Sequence, residues 1–360
     1  MNELEQARKD VNRIDAEMAR LFEERMRAVS RIAAYKKENG LPVRDPVREA
    51  AMIARNRTLI GDQSVEADYV EFLQSVIRIS CARQESLIRG RKTAYSGVEG
   101  AYAHIAARKL FPEAECIGFP GFTEAYRAVE NGAVDCVVLP LENSYAGEVG
   151  TVMDLIFSGS LYVNQVMDLP IRHALLALPG TGMEEIRTVY SHPQALRQCA
   201  DYILSRGWKT VECENTALAA RGIRDRGDPS AAAIASAETA DLFGLSVLEN
   251  GINDAANNTT RFAVLSRAQN RPARSGLRED TGFILVFTVQ NRAGALAQTL
   301  NIIGAHGYNM RTLRSRPMKD LQWNYYFYIE AEGNINNDNG DMLMRELSAI
   351  CARLKLVGTY

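Results

Sequence analysis

Along the first ninety residues the apolar side chains fall on a heptad: Leu4, Ala7, Val11, Ile14, Met18, Leu21, Ala28, Ile32 and Tyr35. Such a repeat is the seam of a helix that pairs with another helix. No Gly or Pro interrupts it before Gly40, so the pattern predicts one helix of about 35 residues, roughly 50 Å long. A domain of ninety residues cannot bury so long a helix alone, and a paired or intertwined dimer is the economical arrangement. After the break at Pro42 and Pro46, two shorter helices are predicted over 46–60 and 66–89.

The pattern changes near residue 91. The runs CVVLP (136–140), LYVNQVMDL (161–169), HALLAL (173–178), TVYS (188–191) and RFAVLS (261–266) read as strands, and 122–131, 194–206 and 216–225 as helices. This alternation predicts α/β architecture with a largely parallel sheet, as one domain or as two lobes around a cleft. The polar stretch 268–280 reads as a linker. Beyond it come strand 282–290, helix 294–306, strands 308–317 and 322–331, helix 339–353 and strand 354–359. That βαββαβ order is the ferredoxin-like split motif, an α+β unit. The chain is thus expected to hold three domains: all-α over 1–90, α/β over 91–267 and α+β over 281–360.

Composition removes several classes of function. A formal net charge of −2 on 360 residues gives no reason to expect nucleic acid or an anionic membrane as partner. The six cysteines are scattered without a CxxC, which fits reduced thiols and a cytoplasmic location. The four histidines form no ligand-spaced pair, so no metal is expected. The start, MNELEQARKD, is charged and lacks the apolar core of a signal peptide.

One heptad position is out of character. Positions 4, 11, 18 and 32 imply an apolar residue at 25, where Arg25 stands. A buried guanidinium requires an anionic partner. Lys36, eleven residues on, shares nearly the same face; Arg8, seventeen residues earlier, points about 100° away, towards a partner's site if the helix is paired. Periodicity alone favours reading these cations as snorkelling or salt-bridged surface charges. The joint pattern is more specific. Arg8, Arg25 and Lys36, then VRDPVRE with Asp45, Arg48 and Glu49, then Ser80 and Gln84 one turn apart, resemble the helical chorismate mutase family. That resemblance implies a pericyclic rearrangement of a dicarboxylate, which needs no nucleophile and no cofactor. Arg8 from the other protomer, Arg25 and Arg48 would clamp carboxylates, with Ser80 in support. Lys36 and Gln84 would donate to the breaking ether oxygen, and Asp45 and Glu49 would bind the side of the ring hydroxyl.

In the middle domain GVEGAYAH (97–104), PLENS (140–144), SHPQAL (191–196), ENTALAA (214–220) and NTTRF (258–262) stand beside strand-like runs. In this order they resemble prephenate dehydratase, which implies a two-lobed fold like that of periplasmic binding proteins. The resemblance puts Thr260 nearest the departing hydroxyl, with Asn143, Ser144, Gln194 and Thr216 orienting prephenate and Glu142 and Glu214 behind them. Arg261 is expected either to bind a carboxylate or to brace the lobes. Val98 and Ala103 stand where that family usually has Pro and Ser, which removes one hydroxyl from the half-site.

The last unit resembles an ACT domain, a module that binds amino acids between subunits. RAGALAQTL (292–300) matches its first helix, and RSRP (314–317) stands where dehydratases typically carry Glu-Ser-Arg-Pro. Gly294, Ala295, Leu296, Arg314, Ser315 and Arg316 are therefore the expected effector residues for phenylalanine, with the charge at 314 reversed. Together the resemblances imply conversion of chorismate through prephenate to phenylpyruvate by a homodimer or larger assembly. Arogenate in place of prephenate, or a mutase fused to a non-catalytic ligand sensor, are the alternatives.

Overall fold

The computed structural model describes residues 2–255, 257–269, 282–318 and 325–360. Two compact units are present, 1–91 and 92–360. The predicted linker 268–280 lies almost wholly outside the described residues. Among those residues no helix is long and apolar enough to cross a membrane.

The first unit is three helices: α1 (Glu3–Glu38), α2 (Pro46–Arg57) and α3 (Glu66–Arg89). Asn2 starts α1 by accepting from the Glu5 N–H at 2.8 Å while Glu5 accepts in return from the Asn2 N–H, which satisfies two of the orphan donors at the helix start. Asp45 caps α2 through the Arg48 N–H at 3.0 Å, just ahead of Pro46 in the first turn. The core is small: Leu73, Ile77 and Cys81 of α3, packed with Val43, Met52, Ile53 and Tyr69. Of α1, only Val29 and Ala33 are buried, and every residue from Asn2 to Glu24 is exposed.

The second unit opens with β1 (Lys92–Ser96), α4 (Tyr102–Leu110), β2 (Glu115–Phe119), α5 (Phe122–Glu130), β3 (Cys136–Asn143), the two-residue β4 (Gly147–Glu148), α6 (Gly150–Ser158) and β5 (Tyr162–Pro170). A second lobe follows: β6 (Ala174–Ala177), β7 (Thr188–Ser191), α7 (Pro193–Gln198), α8 (Ala200–Arg206), β8 (Lys209–Glu212), α9 (Thr216–Arg226), β9 (Ala231–Ala235), α10 (Glu238–Phe243) and β10 (Ser246–Asn250). The chain then returns to the first lobe as β11 (Thr259–Ser266). Each lobe has its own sheet, ordered β5-β11-β3-β1-β2 and β10-β6-β9-β7-β8. The largely parallel sheet expected from the alternation is corrected to two mixed ones. β11 re-enters antiparallel to both β3 and β5, and β6 runs antiparallel to β9 and β10. The predicted helix 194–206 also breaks at Cys199, where φ is −126°.

The C-terminal part has the predicted order: β12 (Gly282–Thr288), α11 (Ala295–Ala305), β13 (Met310–Pro317), β14 (Tyr325–Glu332), α12 (Asp338–Ile350) and β15 (Arg353–Thr359). Its antiparallel sheet runs β13-β14-β12-β15, and β15 joins β5 of the first lobe at Gly358 and Val163. A Cβ at 358 would lie 1.8 Å from the Val163 carbonyl oxygen, so this contact needs glycine. Ile284, Val286, Tyr326, Tyr328 and Val357 share a core with Leu139, Val152, Ile156 and Leu161, and Phe157 stacks on Tyr326 at 4.1 Å. The C-terminal sheet is therefore welded to the first lobe rather than tethered to it.

Candidate active sites

In the helical unit, Arg25 donates to the Ser80 hydroxyl, which donates in turn to the Val76 carbonyl at 2.7 Å. Gln84 sits one turn on, buried, its Nε2 bonded to the Ser80 carbonyl at 3.3 Å and its Oε1 unpaired among the described residues. Burial pulls the Arg25 guanidinium below its usual range, with Cys81 acting the other way. Burial likewise raises the Cys81 thiol, helped by Glu49 and opposed by Arg44 and Lys36. Glu49 accepts from the Cys81 thiol at 3.7 Å, so one thiol marks the meeting point of Arg25, Lys36 and Glu49. Lys36, Asp45 and Arg48 line an adjoining cavity of about 680 Å³ together with Arg31 and Arg44, and Lys36 rests on the Val43 carbonyl. The result is a cationic pocket with one acidic residue, Asp45, in its lining. Arg8 is not brought to it: exposed near the start of α1, it stands 17 residues from Arg25, a rise of roughly 25 Å.

In the second unit, a cleft of about 390 Å³ lies between the lobes. The first lobe contributes Ala103, Asn143 and Thr260, the second contributes Gln194, Gln198 and Thr216, and the crossover contributes His173. Thr260 and Asn143 are cross-strand partners. The Asn143 amide donates to Thr260 Oγ1 at 2.9 Å and to Asn258 Oδ1 at 2.8 Å. Its oxygen accepts from the Tyr145 and Ala146 N–H groups at 3.0 and 2.9 Å. Because Thr260 Oγ1 accepts from Asn143, its own proton is left to point elsewhere. Thr216 opens α9, whose cap Asn215 accepts from the Leu218 N–H at 2.8 Å.

A register shift in the β3–β11 pairing aims these side chains. Phe262 pairs with Pro140 but Arg261 pairs with Glu142, so Leu141 is the extra residue of a bulge. Without it, alternation from Pro140 would send Glu142 into the cleft and Asn143 behind it. With it, Asn143 joins Thr260 in the cleft, and Glu142 and Arg261 share the opposite face.

Residues 7–85 match the chorismate mutase type II family, 93–270 the prephenate dehydratase family and 283–347 the ACT domain family. A bifunctional chorismate mutase/prephenate dehydratase from Enterobacter agglomerans is 31% identical over 380 residues, spanning 100% of this chain and 96% of that protein. The chain belongs to the bifunctional chorismate mutase/prephenate dehydratase family. Solved structures similar to it include two that each match 75% of the chain. The prephenate dehydratase of Arthrobacter aurescens in complex with L-Phe has a TM-score of 0.68 at 25% identity, over 89% of that chain. GqqA, described as a novel type of quorum quenching acylase, has a TM-score of 0.69 at 30% identity, over 97% of that chain.

Several expected residues lie outside the dehydratase cleft. The Ser144 hydroxyl donates to the Asn257 carbonyl at 3.1 Å and accepts from the Thr259 N–H at 3.0 Å, which staples two loops together. Arg261 pairs with Glu330 of β14 at 3.0 Å and stands 3.7 Å from Asp168, the bracing alternative, although the brace runs to the ACT sheet and not between the lobes. Burial lowers the Arg261 pKa, but the surrounding anions, Glu330 first, outweigh it and leave it raised. In the ACT unit, Gly294 adopts φ +80° directly before α11, with Ala295 and Leu296 in the first turn. Ser315 is exposed on β13, whereas Arg314 pairs with Glu142 and Arg316 with Glu148 and Asp154.

The cleft also holds a network that sequence reasoning missed. His173 is buried, its Nε2 2.9 Å from Gln198 Oε1 and its Nδ1 3.1 Å from the Tyr102 hydroxyl, which donates to the Arg172 carbonyl at 2.9 Å. Burial lowers the His173 pKa, with the Gln198 bond opposing it. In sequence His173 merely opens the apolar run HALLAL, and nothing there distinguishes a cleft histidine from a core one.

Proposed function

We propose that the helical unit rearranges chorismate to prephenate and that the interlobe cleft converts prephenate to phenylpyruvate, in a cytoplasmic homodimer or larger assembly. At the first site Arg25 and Arg48, with Arg8 of a second chain, hold the two carboxylates, and Ser80 fixes Arg25. Lys36 and Gln84 meet the ether oxygen as charge develops on it, and Asp45 and Glu49 take the hydroxyl side. The arrangement supplies charge and shape, which is all a pericyclic step requires.

At the second site the bond to the ring carboxylate breaks, carbon dioxide leaves, and the electron pair completes the aromatic ring as the hydroxyl departs. One proton must reach that hydroxyl for it to leave as water. The observation that carries this reading is the Asn143–Thr260 bond, which leaves the threonine proton directed away from Asn143 and available to the leaving group as a hydrogen bond. Gln194 and Thr216 orient the substrate from the other lobe, and Ala103 offers only a methyl group.

Phenylalanine is the proposed effector. Its carboxylate would meet the Leu296 N–H in the first turn of α11, with Ser315 alongside; the Ala295 N–H is already given to the Arg292 carbonyl at 3.2 Å. The test is to supply prephenate alone and follow phenylpyruvate by its absorbance in alkali, with and without phenylalanine. Product that falls on adding phenylalanine supports both parts. No product while chorismate is still consumed would leave a mutase joined to a ligand-binding module.

A further inference from the structure

The hairpin made by β3 and β4 carries a conflict of charge. Glu142 and Glu148 are direct cross-strand partners, two like charges facing each other across a two-pair ladder. Such a pairing opposes the hairpin. Between them the chain turns through Asn143, Ser144, Tyr145, Ala146 and Gly147, so the hairpin is the frame on which Asn143 reaches Thr260. The ACT sheet removes the conflict. Arg314 and Arg316, two residues apart and hence on one face of β13, pair with Glu142 and Glu148 respectively. Arg316 also reaches Asp154 of α6 at 3.2 Å, and Tyr326 donates to the same carboxylate at 2.9 Å. The side chains of Arg314 and Glu142 are about a third exposed or less, at 32% and 27%, so the pair is only partly screened by water.

We propose that Arg314, with Arg316 beside it, is a positioning residue for the dehydratase reaction. From the edge strand of the ACT sheet it neutralises Glu142, quiets the repulsion from Glu148 and so holds Asn143 against Thr260. This rests on the reading that Thr260 and Asn143 serve dehydration. It gives Arg314 a task in the basal reaction, distinct from contact with an effector. It also supplies a physical link between sensor and cleft, since any movement of β13 away from the hairpin restores the repulsion one residue from Asn143.

The test compares Arg314→Gln with the double variant Arg314→Gln/Glu142→Gln, measuring kcat and KM for prephenate, with chorismate mutase activity as the control. Arg314→Gln should lower dehydratase kcat by about tenfold or more, as expected when a reacting group is displaced by a fraction of an ångström. KM and mutase activity should change little. Neutralising Glu142 as well should restore kcat to within about threefold of wild type, because the repulsion is then gone. Arg314→Lys keeps the charge and should retain most of kcat. An unchanged kcat in Arg314→Gln, a lysine variant as slow as the glutamine variant, or a double variant no faster than the single would each overturn the proposal. So would a variant altered only in its response to phenylalanine. A wild-type chain that makes no phenylpyruvate would instead remove the dehydratase reading together with the proposal.

Discussion

Thr260 is a weak acid on its own, and what its neighbours do to it decides its use. Asn143 donates into one of its two lone pairs, so the hydroxyl proton is not spent on Asn143 and can be given towards the cleft. Thr260→Ala should therefore lower dehydratase kcat by about a hundredfold, the low end for a lost proton-donating group, with mutase activity unchanged; a loss of less than threefold would remove the assigned role. Lys36→Ala should do the reverse, costing about a hundredfold or more in mutase kcat through lost charge at the ether oxygen. His173 bears on stability. Its folded pKa is depressed by burial, so around neutral pH and below the unfolded chain binds more protons than the folded one. Stability is then full above the unfolded value of about 6.5 and is lost as pH falls towards the lower folded value. Thermal midpoints of wild type and His173→Asn, compared between about pH 7.5 and 5.5, should show the steeper fall in wild type. His104 and His192 are also depressed by burial and contribute equally to both.

Among the elements, the periodic ones were the legible ones. Helix α1 runs Glu3–Glu38 where the heptad predicts it, and the βαββαβ order of the tail needed only alternation and turn residues. What escaped was what depends on partners distant in sequence. The all-buried strand AAAIA at 231–235 has no period and little β-propensity, and only its place between β6 and β7 makes it a strand. The bulge at Leu141 is set by pairing with β11, more than a hundred residues on, so alternation along the sequence alone would send Glu142 rather than Asn143 into the cleft. The heptad itself makes a prediction. Val11, Met18 and Leu21 are 55%, 44% and 49% exposed within one chain, and burying the remaining half of each against a second helix would gain roughly 1 kcal/mol apiece. Val11→Glu, far along α1 from Lys36, should then abolish most mutase activity while phenylpyruvate still forms from added prephenate. Full mutase activity in this variant would mean that the stripe faces water in the working enzyme.

For the whole molecule, the decisive geometry is the length of α1. Arg25, Lys36, Ser80 and Gln84 gather at its C-terminal half, and Arg8 lies roughly 25 Å away along a straight helix. A straight α-helix cannot fold Arg8 back, so an Arg8 that serves catalysis must serve the site of another chain. On the proposed reading each mutase site is a composite of two chains, and a composite can be taken apart and rebuilt. Arg8→Ala and Lys36→Ala should each be nearly inactive as mutases. A mixed dimer of the two has one site with both defects and one with neither, since the intact Lys36 comes from the first variant and the intact Arg8 from the second. Random pairing at equal amounts makes half the dimers mixed, so co-expression should recover about a quarter of wild-type mutase activity. Dehydratase activity, which draws on neither residue, should stay constant through the series and report the amount of folded enzyme. If co-expression recovers nothing, Arg8 does not cross to a neighbouring site, and the exposed first half of α1 must pair for some purpose other than catalysis.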